Sequence, residues 1–316
     1  MYIEKKKTKK GIKCYLAHSF REGNKIHKIR KLLGTDLNKG VLEERIKKAE
    51  QLIKEEIEKY QIIQDPLEKE LTKEEIAFVE RLQKENNFQI YHLSEKQWEL
   101  FSKIFTYNTN SIEGSELTNT EVNQIIEKDK WPKEKSKEDI AETYGLNDTI
   151  KFIRQTKEHL SLNLLKEIHK TVFKNSKTFA GEFRQKGQEV VVMSSSGKIV
   201  HEGAPQSRVI SLLDNLVKWY EEHKSKYPPI VLVAVVHNQF ENIHPFADGN
   251  GRVGRIILNN ILIKHNLSPI NIELRNRLEY YNTLQEYEKN KNIRPTIEFL
   301  LKEYKATKKE LNKNKV

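Results

Sequence analysis

The stretch that decides how this chain is read is His244-Pro245-Phe246-Ala247-Asp248-Gly249-Asn250-Gly251-Arg252-Val253-Gly254-Arg255. It follows an apolar run, IVLVAVVHNQFENI from Ile230 to Ile243, whose composition predicts a buried helix. Pro245 lacks an N–H and biases the residue before it away from helical backbone, so that helix is expected to stop at His244. An imidazole at the mouth of a loop, with an ordinary pKa near 6.5, suits general-base work. Asp248 is a hard oxygen ligand, and one carboxylate plus substrate phosphates is the usual way Mg²⁺ is held. Gly249, Asn250 and Gly251 let the backbone bring several N–H groups close to an anion, and the helix that follows adds its positive end. Arg252 and Arg255 both leave that helix's first turn, where cations oppose the macrodipole. Taken singly, a His before Pro is a loop residue, a GxG a turn and two arginines a surface pair. Together they amount to a base, a metal carboxylate, an anion nest and two phosphate-binding cations within twelve residues. Those parts fit phosphoryl or nucleotidyl transfer, which needs mainly positioning and charge neutralisation.

Working outward, the serial helical signals cover most of the 316 residues. Ser94, Thr118 and Ser136 each stand where a helix begins, and helical patterns continue through 162–173, 205–223, 228–243, 250–265, 276–289 and 295–304. The exception is 180–200, where GEFRQKGQEVVVMSSSGKIV places β-branched runs around a Ser-Ser-Ser-Gly turn and reads as a hairpin. Towards the N-terminus, 13–33 reads as two short strands around Glu22-Gly23-Asn24. Leu42, Ile46, Ala49, Ile53 and Ile57 then recur at helical spacing, and Thr72 with Glu75 forms a capping-box pattern. The fold class is therefore mainly α. The expected divisions are a basic β-hairpin extension at 1–40, a helical connecting region at 41–90, a main domain at 91–305 and a basic tail at 306–316.

Charge separates along the same lines. The chain carries 56 Lys and Arg against 45 acids, net +11. Residues 1–40 hold 12 basic and 3 acidic residues, and 302–316 hold 6 and 2, which leaves 41–301 at −2. Nucleic-acid binding, if present, is expected in those ends, where a solvated charge run is the plainer alternative. The single cysteine, Cys14, excludes an intrachain disulfide and a Cys-based zinc cluster. No apolar stretch follows the basic start and none is long enough to span a bilayer, so a cytoplasmic protein without membrane contact is expected. His169 and His237 read as structural, and His201 with Glu202 as solvated.

The twelve residues from His244 to Arg255 match, at every specified position, the motif H-P-F-x-D/E-G-N-G-R-x-x-R, so the chain resembles the Fic family from about Trp98 to Tyr304. Gly181-Glu182-Phe183-Arg184 before the hairpin, Ile168-His169 and Tyr280-Tyr281-Asn282-Thr283-Leu284 resemble further family segments. The resemblance implies a Fic-type helical bundle with a β-hairpin flap and a protein adenylyltransferase, a nucleotidyltransferase that moves AMP from ATP to a Ser, Thr or Tyr hydroxyl. It assigns His244 as base, Asp248 to Mg²⁺, Gly249, Asn250 and Gly251 to the anion hole, Arg252 and Arg255 to phosphates, and Phe246 as an anchor of the loop. The flap, Glu189, Val190, Val191, Val192 and Met193 among its residues, would align a target protein by strand addition. Tyr280 and Tyr281 are candidates for the adenine pocket, with aromatic core residues as the alternative.

Thr109-Asn110-Ser111-Ile112-Glu113-Gly114 closes an earlier helix at about 95–114. Gly114 suits the position after a helix end, whereas an acid in the last turn has the wrong sign for the dipole. A compensating cation elsewhere would explain it. The stretch resembles the family's inhibitory motif, S/T-x-x-x-E-G/N, through Thr109, Glu113 and Gly114, which implies that Glu113 occupies Arg255 and that ATP then sits unproductively. Ser115 stands where many relatives have Asn. The resemblance also implies pairing into homodimers, which the family often forms, although no self-complementary patch here points to one independently. AMP removal, another nucleotide donor, or a DNA-associated module using the basic N-terminal hairpin remain the alternatives.

Overall fold

The computed structural model describes all residues except 9–10, 23–24, 63–65, 68, 86–89, 91–92, 194–198 and 314–316. The expected turns at Gly23-Asn24 and Ser194-Ser195-Ser196-Gly197 lie outside the described residues. The chain divides into two compact units, Met1–Asp65 and Pro66–Val316.

The first unit is a three-stranded antiparallel sheet and a helix. Strands β1 (Tyr2–Thr8), β2 (Gly11–Glu22) and β3 (Lys25–Thr35) lie in the order β1-β2-β3. Two strands were expected here; β1 is the addition, and its lysine-rich sequence YIEKKKT hides the alternation. Side chains alternate between the faces of a strand, so Cys14 and Leu16 of β2 share a face with Ile29 and Leu33 of β3. Helix α1 (Lys39–Ile62) covers that face, closing a core with Ala49 and Ile53. Leu33 keeps that face by alternation with Ile29, and the β2–β3 register shifts beside it, at Cys14/Tyr15.

The second unit is helical: α2 (Lys73–Glu85), α3 (Glu95–Ile112), α4 (Asn119–Lys128), α5 (Lys137–Gln155), α6 (Leu162–Phe173), α7 (Val209–His223), α8 (Pro229–Ile243), α9 (Asn250–Lys264), α10 (Arg277–Asn290) and α11 (Arg294–Lys313). Between α6 and α7 lies the antiparallel pair β4 (Val191–Met193) and β5 (Ile199–Glu202). Helix α8 is apolar on all sides because it is central: it packs against α7, α9, α10 and α11. Helices α3 and α4 start after Ser94 and Thr118 as the sequence predicts, each with a capping box, and the box expected at Thr72 and Glu75 forms at the start of α2.

Two expected divisions shift. The compact helical unit begins at Pro66 rather than 91; Arg294 of α11 pairs with Glu75 of α2, and the Tyr287 hydroxyl donates to the Pro66 carbonyl at 2.8 Å. The basic tail at 306–316 is no separate segment through its described part. Helix α11 runs on to Lys313 with Thr307 and Leu311 buried, and Gln97 near the start of α3 donates to the Leu311 carbonyl at 2.9 Å. Its lysines occupy the solvent side of an amphipathic helix. No helix is long and apolar enough among the described residues to cross a membrane.

Candidate active site

The α8–α9 connection is built to hold His244. Helix α8 stops there as predicted, with His244 in left-handed backbone at φ 51°. Such a conformation is uncommon for a residue with a Cβ and persists only when its surroundings enforce it. Arg184 does so: Nε donates to the His244 carbonyl at 2.8 Å, Nη2 to the carbonyls of Ala204 and Ile243 at 2.7 and 3.2 Å, and its backbone N–H to Pro245 at 2.9 Å. Phe246 is fully buried, stacked on His169 at 4.0 Å between ring centroids. His169 in turn joins the Asp248 carbonyl to the Gly181 N–H, a structural part as expected.

The imidazole of His244 is set up as a proton acceptor. Nδ1 lies 3.2 Å from the Glu241 carbonyl, a partner that can only accept, so Nδ1 carries the hydrogen and Nε2 is left with its lone pair. Burial, followed by the charge of His201, pulls its pKa down to about 4, so the ring is neutral at neutral pH. His201 is not the solvated residue the sequence suggested. It lies on β5 with its ring centroid 5.5 Å from that of His244 and Nδ1 3.0 Å from Glu288 Oε1.

Helix α9 begins at Gly249 with φ 79° and no side-chain cap, which leaves its first N–H groups uncapped by a side chain. A Cβ on Gly249 would overlap the Phe173 ring. Asn250 is not a ligand-facing side chain: it braces the loop by a reciprocal pair with Phe246, Oδ1 accepting at 2.8 Å and Nδ2 donating at 2.9 Å. Only its backbone remains for the anion nest.

Both motif arginines are held by acids from other helices, which resolves their conflict with the helix dipole. Arg252 pairs with buried Glu142 of α5 and lies over Phe173 at 4.6 Å, with its side chain 9% exposed. Arg255 is held by α3: Nε donates to Thr109 Oγ1 at 2.7 Å, and Nη2 to the Thr109 carbonyl at 3.1 Å and to Glu113 Oε1 at 2.6 Å. Burial alone would lower the Arg255 pKa; Glu113 and its other neighbours outweigh that and move it up. Arg255 Nη1 is buried without a hydrogen-bond partner among the described residues, a spare donor. Glu113 reaches this place because Gly251 has no Cβ, which would overlap Glu113 Oε1. Gly114, with φ 97°, ends α3 as predicted.

Asp248 stands at the rim, its side chain half exposed, with Oδ1 accepting from the Gly249 N–H at 2.7 Å. Lys177 Nζ lies 3.2 Å from Oδ2, and within 3.8 Å of Glu138 and Glu142. Burial would raise the Asp248 pKa, but Arg252 and Lys177 outweigh it and hold the group ionised. A half-exposed, ionised carboxylate suits a hard divalent ion shared with substrate phosphates, with Lys177 as the cation it would have to displace. Clusters of three or more His, Cys, Asp or Glu that would make an all-protein metal cage are absent among the described residues.

Tyr280 takes the core position that the sequence left as the alternative: it is 1% exposed, lies under Arg255 at 5.8 Å, and pairs with His237 at 2.8 Å. Tyr281 is more open and donates to the Ile112 carbonyl at 3.3 Å. Of the flap residues, Val191 and Val192 are exposed, whereas Glu189 clasps its foot, accepting from Arg184 and from the Gln206 N–H. Glu142, Lys177, Glu241 and His201 were not foreseen; each comes from a separate element with no local pattern to mark it.

Residues 159–262 match the model of the Fic/DOC family. The chain carries a Fic domain. Similar to it are the protein adenylyltransferase fic-1 of Caenorhabditis briggsae, 29% identical over 65% of this chain and 40% of that protein, and the protein adenylyltransferase Fic of Drosophila ananassae, 28% identical over 61% and 38%. The chain thus spans about two-fifths of those relatives' length. In fold it is similar to a Fic domain containing signalling protein from Bacteroides thetaiotaomicron, with a TM-score of 0.64, 22% identity, and cover of 75% of this chain and 95% of that one. Fic-1 (residues 134–508) from C. elegans gives 0.63, 21%, 88% and 77%. The Fic match contains the whole His244–Arg255 loop and His201; α3 with Glu113 lies before it.

Proposed function

We propose that this protein is a protein adenylyltransferase held inactive by Glu113. The observation that carries the reading is the uncapped N-terminus of α9, lying in sequence between a neutral histidine with a free Nε2 and a buried arginine with a spare donor. The relatives named adenylyltransferases support the same chemistry.

ATP would lay its phosphates on the backbone N–H groups of Asn250 and Gly251, and on that of Gly249 once Asp248 Oδ1 releases it, where the helix end favours negative charge. Asp248 is the residue to hold Mg²⁺, which when bound neutralises charge on the phosphates. A target hydroxyl gives its proton to His244 Nε2 as its oxygen bonds to the α-phosphorus, and the bond to the bridging oxygen breaks, releasing pyrophosphate. Donors aimed at the charge that develops lower the barrier by about 3 kcal/mol each. Val191 and Val192 present an exposed strand to which a target segment can pair. The γ-phosphate needs Arg255, and Glu113 occupies it.

The test is intact-mass measurement of Glu113→Gly protein after incubation with ATP and Mg²⁺. A gain of one AMP is expected. No gain in the presence of any candidate target, with ATP binding intact, overturns the assignment of transfer; removal of AMP from pre-modified protein indicates the reverse reaction.

A further inference from the structure

The solvent face of the first unit's sheet has a composition that its fold does not require. The register places Tyr2, Glu4 and Lys6 of β1 beside Ala17, Tyr15 and Lys13 of β2, and these beside Arg30 and Leu32 of β3, with Ser19 opposite Lys28 and Arg21 opposite Ile26. This is the face opposite α1, since Cys14, Leu16 and Ile29 point the other way into the core. It therefore carries Lys6, Lys13, Arg21, Lys28 and Arg30 against one described acid, Glu4. Between the cations lie apolar groups in the open: Ile26 is 69% exposed, Leu32 57% and Tyr2 45%. Lys28 lies over the Tyr2 ring at 5.5 Å and Arg30 over Tyr15 at 5.6 Å, so the aromatic rings set the direction of two of the cations.

We propose that this face is a binding surface for double-stranded DNA, with the β2–β3 ribbon entering the major groove. A two-stranded ribbon fits that groove, about 12 Å wide, because adjacent strands are only about 4.8 Å apart. Strands of 12 and 11 residues give the ribbon length along it. Lys6, Lys13, Arg21, Lys28 and Arg30 are placed to neutralise phosphates along the groove, and Leu32 and Ile26 to meet thymine methyl groups. An acidic protein would also satisfy the charges; the groove is favoured by the match of ribbon width and length, and poly-L-glutamate tests the other outcome. Glu4 has a definite part in this arrangement. It pairs with both Lys28 and Arg30, the latter at 3.2 Å, and so competes with DNA for two of the five cations.

The experiment is fluorescence anisotropy of the full chain with a mixed-sequence DNA duplex over a salt series. Five neutralised phosphates give a slope of log K against log salt of about −4.5. Lys13→Gln with Arg30→Gln is expected to reduce it by about 2, and Lys47→Gln with Lys48→Gln on the exposed side of α1 to leave it unchanged. Glu4→Gln is expected to tighten binding by roughly threefold or more at low salt, a gain that misfolding does not produce. The A-form RNA duplex, whose major groove is too deep and narrow to admit the ribbon, is expected to bind less tightly. The proposal is overturned by absent binding at low salt, by an unchanged slope in the Lys13/Arg30 variant, by no gain in Glu4→Gln, or by equal binding of the RNA duplex or of poly-L-glutamate.

Discussion

Glu113 and Arg255, 142 residues apart, meet at 2.6 Å over Gly251, the last residue of the proposed phosphate cradle. The contact explains two local oddities at once: an acid at the end of α3 and a cation at the start of α9, each of the wrong sign for its own helix dipole. Glu113→Gly removes the carboxylate and leaves Thr109 to orient the guanidinium. Auto-AMP incorporation is expected to rise at least tenfold, about 1.4 kcal/mol of barrier. Radiolabel from α-³²P ATP measures it, and an unchanged or lower rate means that Glu113 does not restrain transfer.

Lys177 stands where a cation on Asp248 would stand. Two positive charges separated by a few ångströms repel by about 1 kcal/mol even at the dielectric constant of water. Lys177→Met is therefore expected to tighten metal binding severalfold in the absence of nucleotide. Titration with Mn²⁺ followed by electron paramagnetic resonance reads this directly; equal or weaker binding in the variant rejects the competition.

Replacing His244 with Ala is expected to abolish transfer while the thermal transition is retained, because its side chain sits at a loop held by Arg184 and Phe246 rather than by the imidazole. The pH profile is the sharper check. With the imidazole pKa lowered to about 4, the neutral base persists well below the usual histidine range. The acid limb of kcat/KM in Glu113→Gly protein is expected near pH 4–5 rather than near 6.5. A limb at 6.5 would mean that another histidine supplies the base.

Glu241, on the last turn of α8, has a different signature. Burial pushes its carboxyl up to about 7 from 4.5, and Oε1 has no partner among the described residues. A carboxyl whose pKa is higher folded than unfolded binds more protons in the native state. Its stabilising effect is complete below about 4.5 and is lost as pH rises to about 7. Glu241→Gln is expected to match the parent protein at pH 4 and to exceed it at pH 8 by on the order of 3 kcal/mol. Denaturant melts at the two pH values test this; a difference independent of pH contradicts the assignment.

Much of the site was legible because its chemistry is contiguous. Pro245, the glycines and the arginines sit within one loop and one helical turn, and each has a local physical signature. The acids that answer those arginines were not legible as a set. Glu142 lies 110 residues before Arg252 and is one of many glutamates in a Lys- and Glu-rich chain. Glu113 is marked by the helix-end sign conflict and, together with Thr109, by the resemblance to the inhibitory motif; Glu142 falls mid-helix, where an acid carries no such signal, and Glu241 shares the last-turn sign but sits in a run that reads only as a buried helix. The same composition obscured the ends. In β1, lysines on both faces hide a strand, and in α11 the lysines suggested a tail although Thr307 and Leu311 keep the helical spacing. Tyr280 and Tyr281 show the limit of adjacency: neighbours on a helix point about 100° apart, so one is core and the other is not.

On the proposed function, the missing Cβ of Gly251 gives the glutamate and a triphosphate one shared seat. Glu113 is then a tethered ligand, present at an effective concentration fixed by α3 and independent of how much protein the cell makes. Dilution cannot relieve such an inhibitor, and a soluble anion must outcompete it locally. On that reading, a shift of the start of α3, which Gln97 ties to the end of α11, would change that effective concentration and loosen Glu113 from Arg255 without any substitution in the nucleotide cradle.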